Sequence, residues 1–384
     1  MQKLEHPAVQ FRPGWAANRS AKLKHLNVRV EVMDMRPSRN LRFRFDRLRF
    51  ALAWVLALGL ATCAPQLAAG QAYAANAAPP VVTHPNAILW TDPLNIKERN
   101  LYYGPGGEKG MPSGPFTFVK EDKGGTNPKF DIRDNDGKKW KAKLGVEARP
   151  ETTATRLLWA VGFVTNENYF FPDLKVDDMP RLKRGQKPVG KHGEMQAVRL
   201  QRPPAEKKIG DWNWKNNPFK GSREFNGLRV MMALLSNWDL KNDNNAIYGG
   251  KDEADPKLYE VSDLGASFGT TGDSYTAKRS KNNLKAYRHS KFISKVTPSY
   301  VDFNFPTHPP FMFAFNLPFF ISQMRLHWIG QHIPRADAKW MASLLSQLTP
   351  QQIEDAFRAG GYTPEQVQAY AAAVESRIAQ LQRL

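Results

Sequence analysis

The sequence predicts an α+β protein with a β-rich first part and a helical second part, and three observations carry that prediction. Short β-prone runs cluster between residues 116 and 202, separated by Gly, Asp and Asn turn signals. The amphipathic stretch Ser222–Trp238 opens a region where helical periodicity prevails. Two further helices near the C-terminus are announced by Thr-Pro starts, at Thr349 and Thr363. No internal repeat contributes to this pattern.

In chain order, residues 1–74 read as an export signal with an extended basic region. Arg36, Arg39, Arg42, Arg44, Arg47 and Arg49 precede the apolar run Ala51–Ala64, which is short for a bilayer span, and Ala72-Tyr73-Ala74 offers small residues for cleavage. The length of the basic region makes Met33 and Met35 alternative starts, and an uncleaved membrane anchor is the competing reading. Cys63 is the only cysteine, so internal disulfides and Cys-based metal sites are excluded. Its context Leu60-Ala61-Thr62-Cys63 is similar to a lipobox, but the Thr before Cys favours a plain apolar signal residue. Membrane association through a lipidated Cys63 or an uncleaved signal stays open.

The whole chain carries a net charge of +19. Residues 1–74 hold 12 Lys/Arg against 4 Asp/Glu, so +11 remains for the rest. Such a balance suits anionic partners, nucleotides among them, and is also common in soluble proteins. Charge alone would motivate nucleic-acid binding, and the export signal argues against it.

Residues 75–90 are rich in Ala, Pro and Asn and read as a linker, and residues up to 115 as an entry segment. Phe116–Val119, Lys129–Arg133 and Lys139–Leu144 read as strands, the last two joined by the tight turn Asp134–Gly137. A helix follows, with Pro150 in its first turn and Ala154, Leu157, Leu158 and Val161 on one face. Tyr169–Val176 and Met195–Arg202 are the next strands. Residues 203–384 form the helical part. Within it, the aromatic run Phe303–Phe320 is expected to be core, with an apolar surface patch as the alternative.

The chemistry-bearing residues lie where the helix Ser222–Trp238 ends. Asp239, Lys241 and Asn244 fall within Asn237–Asn244, and Asp263-Leu264-Gly265 follows after two candidate strands, Asn245–Tyr248 and Lys257–Ser262. Phosphoryl transfer needs a cation on the phosphates, oxygen ligands for Mg²⁺, and a carboxylate near the attacking hydroxyl. Strand alternation puts Lys141 and Lys143 on one face and Trp140 and Ala142 on the other. Lys143 is the preferred clamp, with Lys141 second, because Lys143 is near enough to the next helix to meet Glu147 or Glu151.

This order of motifs resembles the protein kinase-like superfamily, specifically over residues 222–269 and more loosely over 116–163. The resemblance implies a two-lobed fold, with a small β-rich lobe over 116–202 and a larger helical lobe over 203–384. It assigns Asp239 to the catalytic Asp, Lys241 to the loop Lys facing phosphate, and Asn244 and Asp263 to the metal ligands. Lys143, Glu151, Gly124 and Gly125 would then bind the cofactor, Mg-ATP. Asn237-Trp238 replaces the usual His-Arg, no Ala-Pro-Glu follows Asp263, and the glycine loop is only Gly124-Gly125-Thr126. These departures point towards HipA-like and phosphoinositide-kinase-like branches. The functional expectation is an exported Mg-nucleotide phosphotransferase acting on an unspecified acceptor. The alternative is an inactive kinase-like envelope protein that serves as a binding module.

Other chemistries find little support. The eight histidines contain no His-Glu-x-x-His, and no Gly-x-Ser-x-Gly is present. The turn Asp131–Gly137 resembles a calcium loop only until Arg133 takes a ligand position.

Overall fold

A computed structural model describes residues 86–124, 128–183, 188–250, 252, 254–270, 281–304 and 312–384. The export segment, Cys63 and Gly125 lie outside the described residues. The described chain contains both helices and sheets, as the α+β pattern predicts.

Five strands close a barrel in the order β2-β3-β4-β6-β5: β2 (Phe116–Asp122), β3 (Lys129–Arg133), β4 (Lys139–Leu144), β5 (Glu167–Asp177) and β6 (Glu194–Arg202). Pairing is antiparallel except for the closing contact, where Phe116 of β2 meets Val176 of β5 in parallel. Alternation fills the barrel with Phe130, Ile132, Trp140, Ala142, Leu144, Val176, Val198 and Leu200, all essentially inaccessible to solvent. The opposite face of the same strands therefore carries the polar set. On it Lys141 stands opposite Asp131, and Lys143 stands opposite Arg199. Helix α1 (Ala148–Ala160) packs against β5 and β6. The tight turn expected at Asp134–Gly137 is fixed by Asp134, whose carboxylate accepts from the Lys138 amide and from Trp140 Nε1, both at 2.8 Å.

A second core gathers the C-terminal helices around α2 (Arg223–Leu235). Ser222 caps α2 by accepting from the Phe225 amide at 3.1 Å, and Ser236 ends it in the left-handed region at φ 54°. The predicted apolar stripe of α2 is wider than its period implies: every residue from Phe225 to Leu235 is buried. A helix enclosed on all sides is what a central position requires. Helix α6 (Arg335–Leu345) packs along it, α3 (Leu284–His289) and α8 (Pro364–Gln382) bond to its C-terminal end, and α7 (Pro350–Ala359) packs on α1 and α8. Both Thr-Pro starts form full capping boxes, Thr349 with Gln352 and Thr363 with Gln366.

Three features depart from the sequence reading. Ala87–Ile88 is a strand (β1) pairing in parallel with β9 (Lys257–Val261), so the end of the expected linker belongs to a sheet completed by β8 (Asn245–Gly249) and β7 (Lys208–Gly210). The region after Asp263 is not wholly helical: β10 (Ile293–Val296), β11 (Tyr300–Phe303) and β12 (Ile333–Pro334) form a small sheet. These strands are only two to four residues long, too short to display alternation. The described part of the aromatic run Phe303–Phe320 is also not core as expected. Phe303 is buried, but α4 (Met312–Phe315) and α5 (Leu317–Met324) expose Phe313, Phe315, Leu317, Ile321 and Met324.

Candidate active site

The turn after α2 fixes the segment that carries Asp239. The Asn237 amide closes the helix by donating to Met232 O at 3.0 Å, and the buried Asn237 side chain accepts from the Asp239 amide at 3.3 Å. The side chain of Asn244 donates back to the Asp239 carbonyl at 2.5 Å. Strands β8 and β9 pair antiparallel and return the chain to that point. There the Asn244 carbonyl accepts from the amides of Ser262 at 2.8 Å and Asp263 at 3.3 Å. The 24-residue separation between the two aspartates thus collapses into one junction. The Asp239 carboxylate pairs with Lys241 Nζ at 3.1 Å. Burial raises the Asp239 carboxyl above its ordinary range and the nearby Asp263 charge adds to this, while Lys241 pulls the other way.

Lys143 reaches this junction from the barrel. Its ammonium lies 2.9 Å from Glu147 Oε2, 2.9 Å from Glu151 Oε2 and 3.2 Å from Asp263 Oδ1. Both acids considered as partners from the sequence are therefore engaged. Burial works against the Lys143 charge, but Glu151 and Asp263 outweigh it and hold the ammonium above its usual range. Asp263 is opposed by burial as well, yet Lys143 and the Gly265 amide, donating at 3.1 Å, keep it below the ordinary carboxylate range. Lys141, the second choice of clamp, belongs to a different group, 2.5 Å from Asp122 and 3.9 Å from Asp131.

Close approach of the Asp263 segment to α1 depends on Gly265. A Cβ there would lie 2.7 Å from Glu147 Cβ, which is not a flexible tip that could move aside. The glycine loop is seen only at Gly124, whose amide donates to Asp122 Oδ1 at 3.0 Å.

Two cations that sequence reasoning passed over complete the cluster. Arg199 Nη1 lies 2.5 Å from Glu151 Oε1, and Lys281 pairs with Glu147 Oε1. Arg199 had one readable signal, its place in a predicted strand on the face opposite Val198 and Leu200. The sequence could not show that this strand neighbours β4. Lys281 gave no signal, since it lies within the polar, basic sequence 269–291, which shows no periodicity.

Asp239, Asn244 and Asp263 present oxygen donors only, the set expected of a hard cation such as Mg²⁺ rather than of zinc or copper. With its nitrogen committed to the Asp239 carbonyl, Asn244 has only its carboxamide oxygen left to offer a cation. Among the described residues no cluster of three His, Cys, Asp or Glu offers another metal site.

No family model matches the chain, and no curated protein matches it. Among solved structures, the crystal structure of a Helicobacter pylori proinflammatory kinase, CtkA, is similar at a TM-score of 0.41 and 11% identity. The match covers 70% of this chain and 95% of that one.

Proposed function

We propose that the chain is an exported, two-lobed, kinase-like phosphotransferase of a HipA-like or phosphoinositide-kinase-like branch, which transfers phosphate from a Mg-nucleotide such as ATP to a hydroxyl acceptor. The observation that carries this reading is the meeting of Lys143 with Asp263, 120 residues later, beside Asp239 and Asn244. In this reading Lys143 holds the donor phosphates, and Glu151 orients Lys143. Asp239 accepts the acceptor's proton, and Lys241 balances charge on the transferred group. Mg²⁺ held by Asn244 and Asp263 would neutralise the phosphate oxygens. Export rests on the signal in residues 36–74.

A binding-only role is the second reading. It is favoured by the Gly124 amide, which serves its own turn at Asp122. A phosphotransfer assay on the full chain, with γ-labelled ATP, Mg²⁺ and a panel of protein, lipid and sugar acceptors, separates the two. Label transfer or autophosphorylation that disappears in Asp239→Asn supports the enzyme. Nucleotide binding without transfer to any acceptor favours the binding module, and the absence of both removes the proposal.

A further inference from the structure

Six charges meet in the candidate site. Lys143, Arg199 and Lys281 are the cations, and Glu147, Glu151 and Asp263 the anions. The three cations are not equivalent in their pairing. Glu151 divides its carboxylate, with Oε2 towards Lys143 and Oε1 towards Arg199. Glu147 does the same, with Oε2 towards Lys143 and Oε1 towards Lys281. Each glutamate therefore has a second cation of its own, and Lys143 is common to both.

We propose that Arg199, assisted by Lys281, is a positioning residue that makes Lys143 exchangeable. With Arg199 holding Glu151 and Lys281 holding Glu147, Lys143 and Asp263 can turn to an anionic ligand and its cation without stranding either glutamate. This rests on the phosphotransferase reading only for the identity of that ligand, a nucleotide polyphosphate. The charge arrangement itself does not depend on it.

The burial pattern argues for the asymmetry. Glu151 is 1% exposed and Arg199 2% exposed, so neither can be compensated by water if the other is removed. Asp263, by contrast, keeps 38% of its side chain exposed and accepts from the Gly265 amide at 3.1 Å, so it retains a partner when Lys143 departs. Behind Arg199 lies Glu260, which is fully buried and accepts from the Asn166 amide at 3.0 Å. Burial pushes the Glu260 carboxyl up to about 8, so at neutral pH it is mostly protonated and leaves the Arg199 charge to Glu151.

The test is a comparison of melting temperatures for the full chain carrying Lys143→Met, Arg199→Met or Arg199→Lys, joined to a Mg-ATP titration. Removing Lys143 should lower Tm by under about 3 °C, because both glutamates keep a cation. Removing Arg199 should lower it by roughly 6–10 °C, with Arg199→Lys recovering at least half. Where Mg-ATP binds, Arg199→Met should raise Kd or KM at least tenfold with kcat changed less. The double variant Glu151→Gln/Arg199→Met should regain part of that affinity, because Glu151 then carries no unpaired buried charge to hold Lys143, while Glu147 keeps Lys281.

An equal or larger Tm loss for Lys143→Met than for Arg199→Met overturns the inference whatever the nucleotide result. If Arg199→Met does not fold, the same ordering is read from Arg199→Lys and from the double variant. A double variant that folds no better than the single one also overturns it. If the predicted Tm order holds but the wild-type chain binds no Mg-nucleotide, the phosphotransferase reading falls and the assignment of Arg199 stands.

Discussion

Replacing Glu260 with glutamine should stabilise the protein at alkaline pH and remove a pH dependence that the native chain possesses. Glu260 lies on β9 with no exposed surface, one carboxylate oxygen accepts from the Asn166 amide, and the other has no hydrogen-bond partner. Burial lifts its carboxyl from 4.5 to about 8, with the Asn166 amide and then Arg199 pulling against the rise. The folded state therefore holds a proton that the unfolded state releases between those two values. Stability from this group is fully present below about pH 4.5 and is lost as pH rises through about 8. A shift of about 3.5 units at about 1.36 kcal/mol each amounts to roughly 5 kcal/mol over that window. Glutamine imitates the neutral acid and has no proton to lose. Urea unfolding of the full chain at intervals from pH 5 to pH 9 measures the effect. The native chain should lose stability with rising pH, and the Glu260→Gln chain should show a slope smaller by most of that amount. Parallel pH profiles for the two chains would refute the reasoning, as would a variant that is weakest at pH 9.

Three other outcomes follow from particular contacts. Gly265→Ala should destabilise by about 1–3 kcal/mol in denaturant unfolding, because its Cβ would meet Glu147 Cβ at 2.7 Å and displace α1. Arg377→Met should cost about 3 kcal/mol or more in the same assay. The Arg377 guanidinium donates to Leu234 O at 2.8 Å and to Ser236 Oγ at 2.9 Å, at the end of α2, and to Tyr287 O and Ser290 Oγ at 3.1 and 2.7 Å. Phe315→Ser should leave thermal stability within about 0.5 kcal/mol, because Phe315 is 82% exposed, and a larger loss would return this segment to the core.

Local chemistry made part of this molecule legible in the sequence. The barrel strands were marked by alternation and by the Asp134–Gly137 turn, and the last two helices by their capping boxes. Lys143 could be preferred over Lys141 because it stood nearer the helix, and the structure brings Lys143 to Asp263 while Lys141 stays with Asp122. What stayed hidden depends on partners distant in sequence. Nothing near Arg199 announces that β6 runs beside β4, and nothing near Glu260 announces that its own position on β9 is fully buried. Hydrophobicity predicts burial only where another element covers it, and most described residues of α4 and α5 lie exposed. The β10–β12 strands carry too few residues for a period to register.

The central claim is that Lys143, Asp239, Asn244 and Asp263 form a Mg-nucleotide site. A calorimetric titration of the full chain with ATP, with and without Mg²⁺ and repeated on Asp263→Ala, tests it most directly. Binding should need Mg²⁺ and weaken at least tenfold, about 1.4 kcal/mol, in Asp263→Ala. Absence of binding in the native chain, or binding indifferent to both Mg²⁺ and Asp263, would contradict it.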